Sequence, residues 1–70
     1  MNAESIRELL RRQPFDSFQI RMTNGDTHIV SHPETALLTG NRLYVYVQET
    51  DRMVILSLLH IAAIAMLQPA

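Results

Sequence analysis

The run GDTHIVSHPE, Gly25 to Glu34, gathers the side chains best suited to chemistry in this chain: His28, Ser31, His32 and Glu34. Two histidines four apart would share one face of a helix and form a metal pair there. The flanking residues argue for a strand instead, because FQIRM alternates apolar and polar positions up to Asn24-Gly25. On a strand, residues four apart are separated by roughly 13 Å at about 3.3 Å per residue. Ligands of one zinc each lie about 2 Å from the ion, so no metal site is expected. Ser31, His32 and Glu34 supply the residue types of a nucleophile, a base and an orienting group. Strand neighbours point to opposite faces, however, so Ser31 and His32 diverge. Gly25 and Gly40 are the only glycines and cysteine is absent. Neither a phosphate-cradling loop nor a thiolate site can be built, and no enzyme or cofactor is expected.

The same residues fit a corner. Pro33 holds His32 extended, and Glu34 can accept backbone N–H bonds where a turn or short helix begins. His28 is expected across from Arg21 on a solvent face. Tyr44 and Tyr46 alternate with Val45, and strand tyrosines on one exposed face can fill an interface or stack on bases. Phe15 and Phe18 are expected to pin the first helix to the first strand. His60, in an apolar run, is expected to be partly buried. The candidate binding residues are therefore Arg21, His28, His32, Glu34, Arg42, Tyr44 and Tyr46.

Several elements must position them. A helix is expected over about 3–12, capped by Asn2 or by a Ser5–Glu8 capping box, with Ile6, Leu9 and Leu10 as its apolar stripe and Pro14 as its stop. Glu8 is placed to pair with Arg11 or Arg12. A hairpin over about 17–32 turns at Asn24-Gly25, read as a type I′ turn. That turn pairs Ile20 with Ile29 and Arg21 with His28, and it places Phe18, Ile20, Met22 and Ile29 in the core. Leu37 and Leu38 form a short strand or an apolar anchor, and RLYVYVQ and MVILSL form a second hairpin over about 42–58. The stretch SLLHIAAIAML is apolar at nearly every position, so periodicity does not separate a helix from a short 3₁₀ turn with a final strand. The second reading, over about 59–67, is favoured because a helix apolar on every side would be hard to cover in so small a domain. The expected core adds Leu43, Val45, Val54, Leu56, Ile61 and Ile64 to Ile6, Leu9, Leu10, Phe15 and the hairpin residues.

Seventy residues make a single domain, 1–70. A chain this short buries only about 60% of its unfolded surface and needs a supplement. With disulfides absent and metals unsupported, self-association is the supplement expected. Six arginines, no lysine and seven acids leave a net charge of −1, which argues against a general polyanion binder. The charged first residues and the interrupted apolar run at 53–67 match neither a secretory leader nor a membrane span, so a cytoplasmic location is expected.

The stretch PFDSFQIRMTNGDTHIVSHPE resembles a pattern of short bacterial proteins, abundant in planctomycetes, that reads P-F-x-P-F-x-[IL]-x-x-x-[DN]-G-x-x-x-x-V-x-H-P-E. Pro14, Phe15, Phe18, Ile20, Asn24, Gly25, Val30, His32, Pro33 and Glu34 match, and Ser17 departs where a second proline is common. The resemblance covers about a third of the chain and implies a shared fold without an activity. The order of helix, strands and a late one-turn helix is also similar to Sm-like and other SH3-like small barrels. That likeness implies rings built by pairing edge strands, with RNA as a ligand, although the Sm-like RNA-binding segment is missing here.

The expectation is a mainly β, α+β domain: an N-terminal helix on a bent antiparallel sheet or small SH3/Sm-like open barrel of about five strands. The alternative is an α+β domain with a C-terminal helix. The leading function is a non-enzymatic interaction or assembly module that forms a homo-oligomer or binds another protein. The alternative is an Sm-like RNA-binding oligomer using Arg21, Arg42, Tyr44 and Tyr46. No membrane role is expected.

Overall fold

In the computed structural model, which describes residues 1–67, one helix precedes six strands. The helix α1 spans Ala3–Arg11. Strands β1 (Phe18–Met22) and β2 (Thr27–Val30) form the first hairpin. A 3₁₀ turn, Pro33–Thr35, leads to β3 (Ala36–Thr39). Strands β4 (Arg42–Val47) and β5 (Arg52–Ser57) form the second hairpin. A second 3₁₀ turn, Leu58–His60, leads to β6 (Ile61–Met66). The strands make two antiparallel sheets, ordered β2-β1-β6 and β3-β4-β5. β3 is the strand beyond the five expected, and it contains Leu37 and Leu38. The sheets do not close into a barrel.

The helix is capped by Asn2, whose side chain accepts the Ser5 N–H at 2.9 Å. Asn2 satisfies one of the four unpaired donors at the helix start, and the box centred on Ser5 does not form. Arg7 pairs with Glu4 at 2.6 Å and Arg12 with Asp16 at 3.4 Å, so the expected Glu8 pairing is replaced by two other exposed bridges. Such surface pairs contribute about 0–1 kcal/mol each. What holds the helix is Ile6, fully buried, with Leu9 and Leu10 packed at the margin.

The first hairpin corrects the expected register. Ile20 pairs with His28, Gln19 with Ile29, Phe18 with Val30 and Arg21 with Thr27. The loop has three residues rather than two. Gly25 donates to the Met22 carbonyl and has φ +94°, while Asn24 keeps a negative φ. A type I′ turn needs positive φ at both central residues, so the loop is a type I turn followed by a bulge glycine. The Asn24 side chain accepts the Asp26 N–H at 2.9 Å and holds that shape. One extra loop residue moves each side chain of β2 to the other face. Ile29 is therefore 53% exposed, and Val30 takes its place in the core.

One apolar cluster joins the inner faces of both sheets and α1: Phe18, Ile20, Met22 and Val30 on one side, Leu43, Val45 and Leu56 on the other, with Ile6, Leu58 and Ile61 closing it. Phe15 and Phe18 pack as tilted rings with centroids 6.0 Å apart, as the corner requires. After Leu58 the chain takes the turn-plus-strand path and not the helix. In a 3₁₀ turn, residues three apart eclipse, so Leu58 and Ile61 both point inward while Leu59 and His60 stay exposed. The Leu58 N–H donates to the Asn41 carbonyl at 3.0 Å, and the His60 carbonyl accepts the Thr23 N–H at 2.8 Å. The loop of the first hairpin and the turn between β3 and β4 thus hold the 3₁₀ turn. His60 is accordingly exposed rather than partly buried.

Candidate functional site

The seven candidate residues fall into four separate places. Arg21 lies on the outer face of the β2-β1-β6 sheet, paired with Thr27 and Ala63 instead of His28. His28 shares the inner side with Ile20 and is half-buried at the open end between the sheets. His32 and Glu34 are exposed at the corner. Arg42, Tyr44 and Tyr46 alternate along β4 and share the outer face of the other sheet.

The corner behaves as proline dictates. His32 is extended, with φ −140° and ψ 143°, and Pro33 opens the 3₁₀ turn. The turn is closed by Thr35, whose N–H and hydroxyl both donate to the His32 carbonyl, at 3.1 and 2.7 Å. No hydrogen bond among the described residues joins the side chains of Ser31, His32 and Glu34. No group of three or more histidines and acids among the described residues could hold a metal ion.

A cleft of about 380 Å³ runs beside this corner. Residues 27–29 and 31–32 form one wall, residues 45–49 the other, and Thr35 closes one end. The cleft exists because the 3₁₀ turn swings the chain away from β4 after β2. Pairing between β3 and β4 stops at Ala36 and Val45, and β2 has no strand on its outer side. A second cleft, of about 510 Å³, lies between the first hairpin's tip and β5, and His28 borders both.

On the outer face of the β3-β4-β5 sheet, Leu37, Tyr44 and Ile55 form one cross-strand row and Tyr46 and Met53 the next. Leu37, Met53 and Ile55 are each more than half exposed. The Tyr46 hydroxyl donates to Asp51 Oδ1 at 2.8 Å. That bond raises the phenol pKa, because ionisation would forfeit the donor and set two anions together; desolvation adds to the rise.

Leu37, Ile55 and Met53 were absent from the sequence-based candidates. For Met53 and Ile55 the signal is the expected burial of Val54 and Leu56, which turns their strand neighbours outward, whereas Leu37 carries no such signal. Each sheet has two edge strands, β2 and β6 in one and β3 and β5 in the other. β5 pairs only with β4, and β6 only with β1. The segment building both, Met53 to Leu67, contains no Asp, Glu, Lys or Arg. Among the described residues no helix is long and apolar enough to cross a membrane. Comparisons with protein-family models, with curated proteins and with solved structures found no match.

Proposed function

We propose that this chain is a non-enzymatic assembly module that self-associates by pairing the β5 edge of one copy with the β6 edge of the next. The observation that carries the reading is the uncharged run 53–67, which supplies one open edge of each sheet, β5 and β6. Natural edge strands are kept apart by charges, prolines, bulges or short length. β5 and β6 have six residues each and carry between them a single end charge, Arg52, and a register irregularity opposite Arg21 and Met22. Joining two different edges is a head-to-tail contact, which closes into a ring when the rotation permits. Burial of Ile55, Leu59 and Met66 there would supply the stability that so small a core lacks. Lack of cysteine fits a reducing cytoplasm.

Native mass spectrometry at micromolar protein tests this, with Ile55→Pro as the probe. The two-residue Gly40-Asn41 loop closes on Thr39 and Arg42, so Arg42 and Tyr44 bond to β3 while Leu43, Val45 and Val47 bond to β5. The Ile55 N–H then points to the free edge, where proline is tolerated by the fold but blocks pairing. A closed oligomer for the natural chain and a folded monomer for Ile55→Pro are expected. A natural chain that stays monomeric ends the proposal.

A second reading rests on Arg42, Tyr44 and Tyr46 sharing one face, which resembles a stacking platform for single-stranded RNA. The three apolar neighbours and Asp51 leave that face with little positive charge, so assembly is preferred. Titration of labelled single-stranded RNA at two salt concentrations separates the two, since phosphate binding must weaken steeply with salt.

A further inference from the structure

We infer that the cleft between β2 and the end of β4 is a second interaction site, which takes an extended peptide segment of another protein as an added strand on β2. Strand alternation supplies the first argument. The Met22 N–H donates to the Asp26 carbonyl at 2.8 Å, so Met22 and Asp26 are a hydrogen-bonded pair. Hydrogen-bonded and non-bonded pairs alternate, so Ile20 with His28 and Phe18 with Val30 also exchange bonds. The N–H and C=O groups of Thr27 and Ile29 are therefore directed away from β1, and both residues line the cleft.

The shape of the lining is the second argument. Both walls are nearly unbroken runs of sequence, so the cleft follows two backbones instead of gathering side chains around a point. One residue of extended chain occupies roughly 160 Å³, from about 4.8 Å between strands, 10 Å between sheets and 3.3 Å along the strand. About 380 Å³ thus holds two to three residues. This concave slot admits a single chain, whereas the open β5 and β6 edges suit a flat sheet edge, so the two sites take different partners.

The lining sets the chemistry of the occupant. Exposed Ile29 and half-buried Val47 offer apolar contacts for β-branched side chains of the segment, and strand addition reads alternate residues in this way. Glu49 is the one formally charged side chain in the lining, which favours an arginine or lysine in the segment. His28 and His32, also in the lining, offer hydrogen-bonding ring nitrogens to the rest of the segment.

The test is a nitrogen-15 amide titration of the assembled protein with the capped peptide acetyl-Thr-Val-Arg-Val-Thr-amide. Shifts confined to residues 27–32 and 45–49 are expected. A twin peptide N-methylated at both valines, which has lost two donors, should bind about tenfold more weakly. Glu49→Gln should remove the preference for arginine over glutamate at the central position while the oligomer mass stays unchanged. Equal binding of the N-methylated twin, shifts confined to β5 and β6, or no shifts at millimolar peptide would each overturn the inference. The oligomer mass reports on self-association independently, so the two proposals fail separately.

Discussion

Val30→Ala and Ile29→Ala alter adjacent residues of β2, yet the hairpin register makes their expected costs differ by a factor of two or more. Val30 is fully buried against Phe18, and removing two methyl groups forfeits about 1.6 kcal/mol of transfer free energy. Incomplete collapse around the gap raises the cost to about 2–3 kcal/mol. Ile29 loses three carbons, but the residue is 53% exposed and leaves no cavity, so the cost is at most about 1 kcal/mol. At about 4–8 °C per kcal/mol in a domain of this size, Val30→Ala should lower Tm by roughly 8–24 °C, and Ile29→Ala by less than about 8 °C. The assay is thermal unfolding followed by circular dichroism at matched protein concentration, because self-association makes Tm depend on concentration. A two-residue type I′ loop would reverse the order, placing Ile29 inside and Val30 outside. Should Ile29→Ala prove the more damaging, the register described above is wrong.

Other expectations test separate links. Asn2→Ala should cost about 1 kcal/mol through loss of the helix cap, read as a lower urea midpoint with an unchanged slope. Gly25→Ala meets no atom within 4 Å, so its cost, about 1–2 kcal/mol, comes from the positive φ alone; an unaffected protein would show that the turn had been misread. Asp51→Asn should bring the Tyr46 pKa back toward its ordinary value in an ultraviolet titration. Because the folded pKa is raised, the linked stability is present below the unfolded pKa of about 10 and is lost as pH rises through the folded value. If the titration curves of the two proteins coincide, the Tyr46–Asp51 bond does not persist in solution.

The second hairpin was legible because RLYVYV alternates, MVILSL is an apolar run of strand length, and a polar turn separates them. The first was legible in outline only. Asn24-Gly25 announces a hairpin, but both loop types place glycine at positive φ, and they differ in the sign of φ at Asn24. The pattern could not arbitrate, since Ile29 and Val30 are adjacent apolar residues and only one can face inward. Burial of Val30 beside Phe18, with the Asp26 N–H held by Asn24, favours the longer loop. The candidate residues fared unevenly for the same reason. Arg42, Tyr44 and Tyr46 share a strand, and period-two alternation alone unites them. Arg21 and His28 sit on different strands, and one residue of slip moved them to opposite faces.

By itself the sequence determined the kinds of element, their order and their stops: proline closes the helix and opens the corner, and the glycines mark turns. These are local effects of backbone geometry and of a two- or 3.6-residue period. Tertiary structure alone decided what the corner makes. A 3₁₀ turn of three residues swings the chain so that β2 and β4 part and a cleft opens between them. The Leu58–His60 turn likewise sends β6 to the far side of β1 and leaves both β5 and β6 with an open edge. Clefts and edges are relations between segments distant in the chain, set by which of several apolar side chains can share one small core, and no local pattern encodes that choice.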